Sequence, residues 1–288
     1  MTQHMLELPE VDLVYDVYGP LPTEGGRPPL VMIGQPMDAS GFQAQVKLFE
    51  DRTVVTYDPR GLGRSARKDG GITNEPEAQA EDVHAIVEAL GTGPVEMLAS
   101  SGGAVTALAL VTAYPDDVLT LVAHEPPIDC VLPDAEAVQQ ARAAYTQVYQ
   151  DKGWSAGMAA FIAMTSWEGE VTNEHLAQPA PDPAAFGMPT EDDGTREDPL
   201  LSDRSWAVPL YKPDLEALKA APTRIVIAVG EESVRVYTGR SAIALAGQLG
   251  QQATVFPSHH GGFMGGEFGY AGQPEAFAAK LREVLNQR

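Results

Sequence analysis

Apolar and polar positions along this chain follow two alternating patterns. Short apolar runs bounded by turn residues predict strands, and apolar residues repeating every third or fourth position predict helices. The predicted strands are 11–18, 30–33, 53–57, 95–98, 119–123, 223–229 and 253–256. The predicted helices are 42–49, 74–90, 102–114, 135–149, 155–164, 241–249 and 274–285. The first strand alternates apolar and polar residues and should have one exposed face, whereas Asn74 and Glu77 should form a capping box that begins the second helix.

This order of elements predicts a fold of the α/β class. Strands that alternate with helices favour a mostly parallel central sheet flanked by helices on both faces. The alternation breaks between the strands at 119–123 and 223–229, where helical and Pro-rich segments follow one another. We therefore expect a core made of residues 1–127 and 216–288, with residues 128–215 inserted as a helical cap or lid. The acidic stretch 190–198 is expected to be a loop without a role in the site.

Composition excludes several classes of partner. The 288-residue chain carries 40 acidic and 19 basic side chains, a net charge of −21, so nucleic acid and anionic membrane surfaces are unsuitable partners. Cys130 is the single cysteine, which rules out an intrachain disulfide or a multi-cysteine metal site. No secretory signal or membrane-spanning apolar stretch is apparent, so a cytoplasmic location is expected. The oligomeric state is not indicated.

The stretch 95–105 is the most informative segment of the chain. An apolar run leads into a serine flanked by small residues, and a helix follows directly. This is the pattern of a nucleophile elbow, in which a sharp strand-to-helix turn presents one hydroxyl at its tip. Small residues are needed two positions before and after the nucleophile, and Ala99 and Gly103 flank Ser101 in this way. Ser100 would place Leu98 in one of those positions, so Ser101 is the predicted nucleophile.

A serine hydroxyl needs a neighbouring base to take its proton. That base is expected after a later strand, at the same edge of the sheet, and His259 and His260 follow the last predicted strand. His84 lies in a predicted helix and His124 borders a strand end, so neither is assigned a catalytic role.

These motifs together resemble the α/β-hydrolase superfamily over most of the chain outside the inserted segment. Residues 57–65 (YDPRGLGRS) are similar to the D-x-R-G-x-G-x-S turn of that superfamily, which shapes a loop near the site. Residues 259–263 (HHGGF) are similar to its G-H-x-G-F segment, which aligns the family's histidine with His260. The resemblance implies that His260 is the catalytic base and that His259 is a bystander.

The resemblance leaves two candidates for the acid that orients the histidine. The common G-x-x-D pattern has Ser233 where the aspartate would stand, and serine cannot stabilise an imidazolium by charge. Glu232 lies one position earlier and could serve if the loop is shifted. Glu125 follows the strand next to that of the nucleophile, where some branches, including many haloalkane dehalogenases, carry their acid. We favour Glu125, because a lone carboxylate between an apolar strand and two prolines is an unusual choice for solvation alone.

An oxyanion hole requires two backbone donors. By position these are the amides of Gly102 and Gln35, with Ile33 in place of the histidine that the superfamily commonly carries before its glycine. Substrate contacts are expected from three apolar residues near the site loops, namely Met37, Phe42 and Phe263.

The resemblance implies a serine hydrolase that needs no metal or other cofactor. It would cleave a carboxylic ester, lactone or thioester of a small, mainly hydrophobic molecule through an acyl-enzyme on Ser101. Hydrolysis of a C–C bond, or perhydrolysis, is an alternative on the same scaffold. A catalytically weak small-molecule receptor is a third possibility, supported by the departures at Ala99, Ile33 and Ser233.

Overall fold

One mixed sheet organises the chain in the computed structural model, which describes residues 1–287. Its strands are β1 (Thr2–Glu7), β2 (Val11–Tyr18), β3 (Leu30–Gln35), β4 (Val54–Tyr57), β5 (Ala66–Arg67), β6 (Val95–Ser101), β7 (Val118–His124), β8 (Arg224–Gly230) and β9 (Thr254–Phe256). They lie in the order β1-β2-β4-β3-β6-β7-β8-β9, and β5 pairs with β2. All neighbours from β4 to β9 are parallel. The predicted mostly parallel sheet is therefore confirmed.

Helices cover both faces of this sheet. They are α1 (Gln43–Leu48), α2 (Pro76–Leu90), α3 (Gly102–Ala113), α4 (Ala135–Lys152), α5 (Trp154–Thr165), α6 (Asn173–Leu176), α7 (Ala207–Leu210), α8 (Leu215–Ala220), α9 (Tyr237–Gln248) and α10 (Pro274–Asn286). Each of the predicted helices is present. None of the helices within residues 1–287 is long and apolar enough to cross a membrane.

The core is divided into two clusters by the sheet. Successive residues of β3 alternate between them: Leu30 and Met32 pack with α1 and α10, and Val31 and Ile33 pack with α2, α3 and α9. This alternation follows from the two-residue period of a strand, and it explains why the central strands read as unbroken apolar runs.

Two local predictions about the N-terminal half are wrong. The capping box does not form, because α2 begins at Pro76 after Glu75, which makes no side-chain cap. Asn74 is instead buried, and its backbone N–H donates to the carbonyl of Arg204 in the segment between β7 and β8.

The strand β2 is buried on both faces rather than exposed on one. The turn at residues 58–65 covers the second face: Arg64 pairs with Asp16, and the backbone N–H of Val14 donates to Ser65 Oγ. Strand β1 was not predicted from the sequence, because it pairs with β2 alone and keeps most of its residues exposed.

The chain between His124 and Arg224 contains helices and loops but, among these described residues, no strand. The acidic stretch 190–198 is a loop, as expected. Every strand thus lies in the segments assigned to the core, and the division into core and lid stays a prediction.

The close approach of α3 to β3 makes Gly103 a sensitive position. A Cβ there would lie 2.7 Å from Gly34 Cα and 2.8 Å from the carbonyl oxygen of Ile33. We expect Gly103→Ala to lower the free energy of unfolding by about 1–3 kcal/mol, because backbone atoms must move apart. Gly247→Ala in α9 is the matched control, since a Cβ there meets nothing within 4 Å. Urea unfolding that shows equal effects at both positions would contradict this account.

Candidate active site

Ser101 stands at the sharp turn between β6 and α3. Its φ of 55° and ψ of −130° lie outside the usual regions for a residue with a side chain, at a cost of about 1–3 kcal/mol. Ser101 is partly exposed, whereas Ser100 is buried and its Oγ lies 3.2 Å from His124 Nδ1. Of the two serines, Ser101 is therefore the one whose hydroxyl a substrate can reach.

Glu125 follows β7 directly and is fully buried, with a φ of 48°. Its Oε1 accepts the backbone N–H of Gly230 (2.9 Å), and its Oε2 accepts hydrogen bonds from Thr238 Oγ1 and His260 Nδ1, the latter at 2.7 Å. Burial alone would raise the pKa of Glu125, but the hydrogen bond and charge of His260 outweigh it and hold the pKa at about 2. The carboxylate is therefore ionised at neutral pH.

This arrangement fixes the tautomer of His260. An ionised carboxylate only accepts hydrogen bonds, so the proton of the neutral imidazole resides on Nδ1 and the lone pair on Nε2. The His260 side chain is 31% exposed, so solvent or substrate can reach the ring. No hydrogen bond joins Ser101 to His260 among residues 1–287, and such bonds often tighten only when substrate binds.

His259 and Glu232, the residues adjacent in sequence or alternative to the proposed base and acid, make contacts outside the Glu125–His260 pair. His259 Nδ1 accepts the N–H of Gly261 and its Nε2 donates to the carbonyl of Ala271, which occupies both ring nitrogens in the loop. Glu232 is exposed, and its backbone N–H donates to Ser258. The structure thus brings Glu125, and not Glu232, into hydrogen-bond contact with His260.

The two expected oxyanion donors lie on adjacent segments. Gln35 is the register partner of Ser101 across β3 and β6, and Gly102 is the first residue of α3. An amide at the start of a helix has no intrahelical acceptor and lies in the positive end of the helix dipole. A Cβ atom built on Gly102 would lie 3.1 Å from the Cβ atom of Gln35, so the two residues are in contact.

The three expected substrate contacts lie at different depths. Phe42 and Phe263 are 1% and 2% exposed and stack on each other with ring centroids 5.1 Å apart. Met37 is half-buried and fits between Gly34 and Gly41, where a Cβ on either glycine would overlap its side chain. Substrate contact stays a prediction for all three, and burial favours Met37.

The turn at residues 58–65 is built from ion pairs on buried carboxylates. Asp58 accepts the backbone N–H groups of Ala39 and Arg64 and pairs with the Arg64 side chain. Arg60 donates two hydrogen bonds to buried Asp82 in α2, at 2.7 and 2.8 Å. These contacts hold the loop after β3 against the loop after β4, which is the shaping role that the sequence motif implied.

His124 lies next to the candidate site, although its sequence context assigned it no role there. It is fully buried beside Glu125, with its Nε2 3.9 Å from Glu125 Oε1. Its ring centroid lies 6.1 Å from that of His260. Burial lowers the pKa of His124 to about 4, so the ring is neutral at physiological pH. Its position at the end of a strand pairing with β6 was the only sequence signal.

The chain is similar in sequence to known hydrolases. The profile of the alpha/beta hydrolase fold matches residues 30–165. The uncharacterized hydrolase YraK of Bacillus subtilis (strain 168) is 28% identical, over 98% of this chain and 95% of that protein. The bifunctional esterase/perhydrolase DCH of Acinetobacter calcoaceticus is 33% identical, over 41% of this chain and 43% of that protein.

Two solved structures share the fold over nearly the whole chain. A thermophilic esterase from Thermogutta terrifontis is 22% identical with a TM-score of 0.64, covering 99% of this chain and 98% of that one. The enol-lactonase from Burkholderia xenovorans LB400 is 15% identical with a TM-score of 0.65, covering 99% of this chain and 100% of that one.

The buried, neutral ring of His124 should make stability depend on pH. In the unfolded chain His124 is protonated below about pH 6.5, whereas in the folded protein it is protonated only below about pH 4. The unfolded state therefore binds more protons between these pH values. The contribution of the neutral His124 to the free energy of unfolding is fully present above pH 6.5 and is lost as the pH falls toward 4. Between pH 7 and 5 the wild type should lose about 2 kcal/mol more of its unfolding free energy than His124→Phe does. Urea unfolding at both pH values tests this, and parallel losses in the two proteins would contradict it.

Proposed function

Because this chain belongs to the α/β-hydrolase superfamily and is a hydrolase, we propose that it cleaves a carboxylic ester, lactone or thioester through an acyl-enzyme on Ser101. The observation that carries this proposal is the 2.7 Å hydrogen bond from His260 Nδ1 to the buried, ionised carboxylate of Glu125. It leaves His260 Nε2 as a base at the edge of the sheet where β6 presents Ser101.

In the proposed mechanism, Ser101 Oγ attacks the substrate carbonyl while His260 Nε2 takes its proton. The imidazolium that forms is stabilised by Glu125 through the hydrogen bond on Nδ1. The same proton then passes to the leaving alcohol or thiol as the tetrahedral intermediate collapses to an acyl-enzyme. Water, activated by His260, attacks the acyl carbon and releases the carboxylic acid and free Ser101.

The backbone amides of Gly102 and Gln35 would receive the oxyanion of both tetrahedral intermediates. Each such donor contributes on the order of 3 kcal/mol to lowering the barrier. Because only the N–H is needed, Ile33 in place of the family histidine does not remove the donor. No step in this scheme requires a metal ion.

The substrate is proposed to be small and mainly hydrophobic. Met37, which packs against Gly34 next to the expected oxyanion donor Gln35 in the chain, supports an apolar acyl group, and the esterase and enol-lactonase structures support an acyl substrate. The name of the Acinetobacter relative also couples esterase with perhydrolase activity. Attack of hydrogen peroxide instead of water on the same acyl-enzyme is therefore a second candidate, and peracid formation from an ester would reveal it.

Replacing the nucleophile tests the proposal most directly. Ser101→Ala should lower the turnover of p-nitrophenyl esters by about 10⁴-fold or more, with circular dichroism unchanged. A fluorophosphonate probe should label the wild type at Ser101 and leave Ser101→Ala unlabelled. Ser100→Ala serves as the control for labelling, because Ser100 is buried. A wild type that resists the probe would favour the receptor alternative.

The two candidate acids can be separated by amide substitution. Glu125→Gln should lower kcat by on the order of 10⁴-fold, because the amide can donate to His260 and select the wrong tautomer. Glu232→Gln should change little, since that side chain is exposed. Steady-state kinetics on one ester series would compare the variants, and the opposite ranking would refute the assignment of Glu125.

A further inference from the structure

We propose that His124 is a positioning residue, whose neutral imidazole directs an Nε2–H toward Glu125 and keeps that carboxylate ionised and aligned with His260. This inference rests on the proposed function. It starts from one unusual feature, a second fully buried imidazole placed next to the Glu125–His260 pair.

The surroundings of His124 hold its ring in place. The rings of Phe277 and Phe263 contact it edge-on at centroid distances of 5.2 and 6.2 Å, and Phe256 lies tilted at 6.2 Å. Packing against these three rings restricts the orientation of the imidazole. The described polar groups nearest to its two nitrogens, on Ser100 and Glu125, then decide which nitrogen carries the proton.

The tautomer of His124 follows from its two polar neighbours. Ser100 Oγ lies 3.2 Å from Nδ1 and can either donate to it or accept from it. Glu125 Oε1 lies 3.9 Å from Nε2 and, being anionic, only accepts. A lone pair on Nε2 would face this negative oxygen and repel it, so the proton resides on Nε2 and Ser100 donates to Nδ1. Nε2 has no hydrogen-bond partner within residues 1–287, so its N–H dipole is available to Glu125.

Within residues 1–287, Glu125 Oε1 accepts one strong hydrogen bond, from the backbone N–H of Gly230. An N–H dipole from His124 would therefore add to the stabilisation of this oxygen. Electrostatic interactions in a buried, low-dielectric site are stronger than in water. The N–H of His124 would therefore lower the cost of keeping a charged carboxylate there, and would hold Oε1 turned away from His260 so that Oε2 faces it. His124 contacts no reacting atom in this arrangement, so its effect passes through Glu125.

A double-mutant cycle on an ester substrate tests this inference. His124→Phe keeps an aromatic ring in the pocket but removes the N–H, and we expect kcat to fall about tenfold with KM unchanged. His124→Gln, whose amide can place an N–H near the former Nε2, should recover most of this loss. In the Glu125→Gln background the same His124→Phe substitution should have little effect, because the negative charge it serves is gone. An equal loss in both backgrounds would show a merely structural role and overturn the proposal.

A spectroscopic measurement distinguishes failure of this inference from failure of the proposed function. In ¹⁵N-histidine-labelled protein, His124 should appear as the neutral Nε2–H tautomer at pH 7, whether or not the protein hydrolyses esters. The His124 resonances are identified as those missing from the spectrum of His124→Phe. Ser100→Ala should shift the Nδ1 resonance of this ring. A proton found on Nδ1 would overturn the inference even in an active esterase, whereas an inactive wild type with the expected tautomer would reject only the proposed function.

Discussion

A negative charge in a dry interior is the constraint on which the site depends. Glu125 is fully buried, so its carboxylate has lost the solvent that would stabilise it. Three elements compensate with donors: β8 through the backbone of Gly230, α9 through Thr238, and the loop after β9 through His260. Because the donors come from separate parts of the chain, one charge ties together most of the C-terminal half of the sheet.

The helix α9 does more than contribute Thr238 to this charge. Ser241 Oγ accepts the N–H of Ile128 and donates to the carbonyl of Pro126, which fixes the chain just after Glu125. One turn earlier, Tyr237 donates to buried Asp129, which also pairs with Arg142 of α4. The carboxylate of Glu125 and the chain that follows it, as far as Arg142, are thus attached to the same helix.

Backbone strain is concentrated where the proposed chemistry lies. Of the four non-glycine residues with positive φ among residues 1–287, Ser101 and Glu125 belong to the candidate site, and Ser258 lies two residues before His260. Ser101 is the last residue of β6, and Glu125 directly follows the last residue of β7. Both strands are central and parallel, and the rigid sheet can hold an unfavourable turn in place there. On the other side of the elbow, Gly103 allows α3 to approach the backbone of Gly34. Ser101, at the tip of this turn, is partly exposed.

The sequence by itself determined the strands other than β1 and β5, the longer helices, the parallel sheet and the candidate serine, because apolar periodicity and small residues around a turn are local signals. It narrowed the acid to two candidates and favoured Glu125 over Glu232, but it could not show which carboxylate contacts His260, which lies 135 residues from Glu125 in the chain. It also missed the burial of β2 and the place of His124, as both arise when distant segments close over them. Only the tertiary structure decided these points, because burial and hydrogen-bond partners are properties of what the chain brings together and not of any one stretch of it.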